Sequence, residues 1–180
     1  RYYLINFAFF ASLRFYNFLY MNKKYFPLII IFSIIVLIDQ ITKFYIASNF
    51  ELYQSVEIIK GFFNITYIRN SGVAFGMFSN LKGSFIQIVF IAIYIIAIIS
   101  IIILYRETHG YSHIALSLIF SGAIGNLIDR IFRGEVVDFM DFHWQNYHWP
   151  AFNVADSCIS VGVGLLMITM LGKEFKSLRV

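Results

Sequence analysis

Four aspartates, Asp129, Asp138, Asp141 and Asp156, fall in one stretch from Gly125 to Ser157, among some of the most apolar neighbours in the chain. A carboxylate beside lipid is expensive, so it needs a partner or a task. Asp138 follows one hydrophobic run after a short turn, and Asp156 opens the next. Two carboxylates about 3 Å apart cannot both ionise cheaply, so one pKa rises and the other falls. Such a pair can activate a water and protonate a leaving amine, which is acid–base chemistry needing neither metal nor cofactor. Asn126 and Asn153 can each donate and accept, which suits a peptide backbone. Arg130 either neutralises Asp129 or holds a substrate carbonyl. Asp156 also has a plainer role open to it. Asn153 is a good N-cap, and Asp156 would sit at N3, where the helix dipole favours a negative charge. Capping explains one aspartate and leaves the gathering of Asp129, Asp138, Asp141 and Arg130 without a reason.

Other chemistries fit less well. Ser157 has no histidine at useful spacing, and His109 and His113 lie at the opposite end of the predicted bundle. His143 and His148 stand five apart with Asp141 nearby, but a zinc helix wants His-x-x-x-His and a third ligand. An interfacial aromatic loop with no metal is the better reading. Gly72 and Gly76 match no phosphate-binding motif. One cysteine, Cys158, excludes an intrachain disulfide and reads as a small packing residue.

The elements that must position these groups are membrane spans. The chain of 180 residues is 59% hydrophobic and 13% charged, where soluble domains are near half and a quarter. Its mean hydropathy is +0.74. This is an integral membrane protein of one domain, and the small net charge of +4 gives no nucleic-acid surface. About 20 apolar residues cross the hydrocarbon, and four runs qualify: about 26–47, 84–105, 112–132 and 154–171. The first carries Asp39 and Lys43 at i,i+4, either a mutually neutralising pair or a functional one. The second is Ile-rich and offers no chemistry. The third has a small-residue face at Ser121, Gly122 and Gly125, then Asn126, Asp129 and Arg130 on one face of its end.

Between the first two spans, Val56–Ile59, Phe62–Arg69 and Val73–Phe78 are rich in β-branched and aromatic residues, with a turn at Asn70-Ser71-Gly72. They predict a small antiparallel sheet on the membrane surface. Arg133 to Phe152, with Trp144, Tyr147, Trp149 and Pro150, predicts an interfacial loop. Residues 1–20 are expected to be an upstream extension outside the fold, with the domain running from 21 to 180. The alternative is an interfacial helix. Four spans put both ends on one side. From residue 21 onward basic residues tie at six on each side, so charge alone does not orient the bundle.

Five blocks together resemble the bacterial lipoprotein signal peptidases, the signal peptidase II family. They are Asp39-Gln40-Ile41-Thr42-Lys43, Asn70-Ser71-Gly72-Val73-Ala74-Phe75, Gly125-Asn126-Leu127-Ile128-Asp129-Arg130, Val136-Val137-Asp138-Phe139 and Phe152-Asn153-Val154-Ala155-Asp156-Ser157. The resemblance covers essentially Met21 to the C-terminus, with Val73 where the family often has Ala. It implies an all-α membrane protein, a four-helix transmembrane bundle with a small extracytoplasmic β-sheet and a periplasmic or extracellular loop. It implies an aspartyl endopeptidase with Asp138 and Asp156 catalytic. Asn70, Asn126, Arg130 and Asn153 would line the substrate site, and Asp39, Lys43, Gly72 and Asp129 would support it. Its substrates would be diacylglyceryl-modified prolipoproteins, cut just before the lipidated cysteine. It would need no cofactor or metal, touch membrane lipid and be sensitive to globomycin-type cyclic peptides. It would sit in the bacterial cytoplasmic membrane with both termini cytoplasmic and the active site toward the outer face. The rival class is an ion-coupled transporter, which predicts acidic groups near mid-bilayer and an internal repeat. Here the acids lie at span ends and no repeat is found.

Overall fold

The computed structural model describes residues 2–72, 83–145 and 147–177. In chain order, α1 is Tyr2–Asn49, β1 Ser55–Ile59, β2 Phe63–Asn70, α2 Gly83–Glu107, α3 Tyr111–Phe132, β3 Val136–Trp144, β4 Tyr147–His148 and α4 Val154–Ser177. Among the described residues four helical segments are long and apolar enough to cross a membrane: Lys23–Asn49, Phe85–Glu107, Tyr111–Phe132 and Val154–Gly172. The shortest, 19 residues, spans roughly 28 Å at about 1.5 Å per residue. The α1 backbone also continues upstream of its span through residues 2–22.

Helix α3 is the centre, packed against α1, α2 and α4. Its sequence permits this because small residues let helix backbones meet where lipid offers no hydrophobic drive. Buried Ser117 and Ser121 turn their hydroxyls back onto the carbonyls of His113 and Ser117, at 2.7 and 2.6 Å, so neither hydroxyl is left facing apolar neighbours. A side chain at Gly122 would run into the Ala155 carbonyl of α4. Towards the other end, Tyr105, stacked on His113 at 4.4 Å, packs with Ile101 and Leu116 to tie α2 to α3.

The sheet is antiparallel in the order β1-β2-β3-β4. The strands at 56–59 and 62–69 form as the sequence predicts, while the stretch 73–78 lies outside the described residues. The expectation that residues 133–152 form a loop is corrected. Val136–Trp144 is the most buried strand of the sheet, paired with β2 from Phe63↔Phe142 to Asn70↔Val136. Asp138 and Asp141 break the alternation of apolar residues that marks a strand, so this segment reads as a loop. Val137 and Phe139, on either side of Asp138, complete a core with Ile46 and Tyr67, which seats the sheet on the end of α1. Strand β3 also carries a bulge. The N–H groups of Phe139 and Met140 both donate to the Phe152 carbonyl, at 3.1 and 2.8 Å. In chain order the strands fall between α1 and α2 and between α3 and α4, and β3 packs against α1 and α3.

Candidate active site

Asp138 on β3 and Asp156 in the first turn of α4 are brought together by asparagines. Asn153 is the hub. Its Nδ2 donates to Asp138 Oδ1 at 2.7 Å, and its Oδ1 accepts the Asp156 N–H at 3.0 Å. Its own N–H donates to Asp156 Oδ2 at 3.2 Å, which completes a reciprocal capping box. The capping role expected of Asp156 is therefore present, and it is part of the site rather than an alternative to it. Asn126 Nδ2 donates to Asp156 Oδ1 at 2.7 Å, and Asn70 Nδ2 donates to Asp138 Oδ2 at 2.9 Å. All four carboxylate oxygens thus accept an N–H. The asparagine orientations are fixed by neighbours that can only donate. Asn126 Oδ1 accepts from the Lys43 ammonium at 3.0 Å, and Asn153 Oδ1 from a backbone N–H.

Burial pushes the Asp138 carboxyl up to about 6. The hydrogen bond from Asn70 opposes that shift, and the nearby Asp156 charge adds to it. A carboxyl held this high is suited to carry a proton near neutral pH.

Beneath the pair lies a buried ionic cluster. Lys43, Asp39 and Asp129 are all fully buried. The Lys43 ammonium uses three donors on three acceptors: Asp39 Oδ2 and Asp129 Oδ2, each at 2.9 Å, and Asn126 Oδ1. Asp39 Oδ1 accepts the Ala155 N–H at 2.9 Å, so α1 caps the first turn of α4. Gly125 makes room for this, because a Cβ there would lie 2.7 Å from Asp39 Oδ2. Asp129 Oδ2 accepts the Val137 N–H at 3.1 Å, which fixes the start of β3. Arg133 closes on Asp129 Oδ1 and also on Gln40 Oε1, the latter at 2.9 Å. Two carboxylates face two cations, and the charges balance. Of the two readings of Asp39 and Lys43, mutual neutralisation holds, but through Asn126 it also orients the candidate dyad.

Arg130 does not neutralise Asp129, whose partners are Lys43 and Arg133. Arg130 is buried, with its guanidinium 4.5 Å from the Phe90 ring centroid and Nη1 donating to the Ser71 carbonyl at 2.8 Å. Its Nε has no partner among the described residues. Gly72 closes the same turn with φ +84, and its N–H donates to Asn70 Oδ1 at 2.7 Å. A Cβ at Gly72 would strike the Phe90 ring and lie 2.9 Å from Arg130 Nη2. Arg130 therefore grips the turn that aims Asn70 at Asp138.

The second span holds more than its sequence suggests. Gln87 Nε2 donates to the Arg130 carbonyl at 2.7 Å, Phe90 lies under the guanidinium, and the Tyr94 hydroxyl faces Asn126. The signal is their spacing, at i, i+3 and i+7 on one face, inside a run that otherwise looks uniform.

His143 and His148 stack at 4.9 Å, and His148 Nδ1 lies 2.9 Å from Asp141 Oδ1. Among the described residues no group of three or more His, Cys, Asp or Glu is arranged to hold a metal ion.

Known proteins resemble this chain over most of its length. It is 46% identical over 157 residues to the lipoprotein signal peptidase of Geobacter metallireducens, covering 86% of this chain and 96% of that one. It is 43% identical over 153 residues to that of Staphylococcus aureus, covering 84% and 93%. A bacterial membrane enzyme solved by the in meso method at 2.3 Å superposes with a TM-score of 0.72 at 38% identity, covering 82% of this chain and 88% of that one. The family model for signal peptidase (SPase) II matches residues 31–172. With four membrane-spanning helices and this match across most of its length, the chain belongs to the signal peptidase II family of membrane proteases.

Proposed function

We propose that the protein cleaves the signal peptide from diacylglyceryl-modified prolipoproteins, just before the lipidated cysteine, with Asp138 and Asp156 as its catalytic dyad. The observation that carries this reading is the Asn153 hub, which holds one carboxylate from β3 and one from α4 at the end of a membrane span. Asp138, with its raised pKa, keeps the proton and gives it to the scissile carbonyl or leaving amine. Asp156 takes a proton from the attacking water. Asn70, Asn126 and Asn153 hold both carboxyls against rotation, so little reorganisation is left for the reaction itself. Arg130, Gly72, Asp39, Lys43 and Asp129 act one layer out, through the asparagines and the chain ends that carry them. Globomycin-type cyclic peptides would compete for the same cleft.

Both termini would then be cytoplasmic and the sheet extracytoplasmic. The folded domain would run from 21 to 180. Purified protein in detergent should cleave a synthetic diacylglyceryl peptide at the cysteine, and Asp138→Asn and Asp156→Asn should each abolish that cleavage. Robust turnover by either variant, free of endogenous peptidase, overturns the assignment. Reporters after Val180 and within residues 106–110 should report cytoplasm, and one between Lys60 and Gly61 the outside.

A further inference from the structure

A cavity of about 450 Å³ opens in the sheet, and it contains neither dyad residue. Its polar wall is Asn64 and Thr66 of β2, Asp141 of β3 and His148 of β4, and its apolar wall is Trp149 and Pro150. The Asp141 carboxylate is anchored there, accepting from Asn64 Nδ2 at 3.0 Å and facing His148 Nδ1 with both oxygens. Asp141 is 8% exposed, which is little for a carboxylate that is not part of the ionic cluster.

Two features tie this cavity to the cleavage site. First, Asp138 and Asp141 are three apart on one strand, and regular alternation would send them to opposite faces. The bulge at Phe139–Met140 interrupts that alternation. Ile68, the strand partner of Asp138, and Asn64, the partner of Asp141, line the same cavity. Second, three strand residues span roughly 10 Å. An extended peptide held at Asp138 by its scissile bond reaches Asp141 with its third or fourth residue.

The side of the bond follows from chemistry. The segment before the cysteine is apolar signal peptide. The segment after it leaves the membrane and is polar. Every lining residue lies on an element outside the four spans, and Ser55, Asn64, Thr66, Asp141 and His148 set hydrogen-bonding groups into an otherwise apolar lining.

Resting on the proposed prolipoprotein cleavage, we propose that this cavity is a subsite for the first residues of the mature lipoprotein, and that Asp141 selects hydrogen-bond-donating or basic side chains at the third and fourth mature positions. Among the described lining residues Asp141 alone is formally negative, so a carboxylate side chain placed there meets repulsion. Trp149 and Pro150 supply a flat apolar wall for the stem of a lysine.

The test uses two diacylglyceryl peptides, identical through the cysteine, with Lys or Glu at the third and fourth mature positions. The wild-type protein should cleave the Lys peptide with a KM at least fivefold below that of the Glu peptide. Asp141→Asn should bring the ratio below twofold, with the change in KM rather than kcat. His148 is half-exposed, so its variants bypass any folding defect at Asp141: His148→Glu should widen the ratio and His148→Lys should narrow it. Equal KM values for the two peptides in the wild type, or a ratio indifferent to all three variants, would overturn the subsite while leaving the protease reading intact. Failure to cleave either peptide would overturn both.

Discussion

Asp138→Asn should change how stability depends on pH, and the size follows from the site. The Asp138 pKa rises from 3.8 to about 6 on folding, which at about 1.36 kcal/mol per unit is worth about 3 kcal/mol. The sign is set by proton affinity. The folded state binds the proton more tightly than the unfolded one, so the wild type is favoured below about pH 4 and loses that advantage as pH rises through about 6. The asparagine that replaces Asp138 does not titrate, so the variant lacks this loss. A second effect opposes the gain. Both Asp138 oxygens accept an amide N–H, from Asn70 and Asn153. An asparagine side chain offers one acceptor oxygen, so one of those amides is left facing an NH₂ group, at a cost of about 1–3 kcal/mol at every pH. Near pH 8 the two effects should nearly cancel, and near pH 4 the variant should be the less stable. The assay is thermal unfolding in detergent from pH 4 to 8, with wild type and variant measured together so that the other titrating groups cancel. Turnover should be absent in the variant throughout. Parallel pH curves would refute the raised Asp138 pKa and with it the assignment of Asp138 as the proton donor.

Arg130→Lys keeps the charge but cannot both grip the Ser71 carbonyl and cover the Phe90 ring, so kcat should fall at least tenfold in lipopeptide cleavage with Tm nearly unchanged. Lys43→Met strips the ammonium from between two buried carboxylates and should cost about 3–5 kcal/mol, seen as loss of folded protein in detergent. Lys43→Met and Asp39→Asn together should be less than additive, because the second change removes a charge that the first leaves unpaired. A chain starting at Met21 should insert and cleave as the full chain does, since the matched family region begins at residue 31; loss of insertion or activity would assign residues 1–20 to the fold.

The spans are legible because lipid imposes one rule, a run of about 20 apolar residues, and little else in a sequence satisfies it. The candidate dyad is legible for the opposite reason. Charges that should not be near lipid stand out, and Asp138 and Asp156 at span ends ask for an explanation. What stays hidden is pairing. Nothing in the spacing of Arg130 and Arg133 says which one meets Asp129. Both lie within a turn or so of it, and the choice falls to Arg133 because Arg130 is drawn to the Ser71 carbonyl on a different element. Strand β3 is hidden by the residues it carries. A sheet segment holding two aspartates loses the alternation by which strands are recognised, so its polar residues disguise the element that positions them. Gln87, Phe90 and Tyr94 are hidden by the converse effect, three isolated positions on one face of a helix whose remainder is Ile-rich. Asn153 joins these lines of reasoning. Its side chain caps α4, orients Asp138 and accepts from the backbone N–H of Asp156. The local capping signal and the catalytic proposal therefore rest on one constraint, and Asn153→Ala should lose helix-end stability of about 1 kcal/mol and most of its turnover together. A variant that lost only the stability would separate them and return Asn153 to a purely structural role.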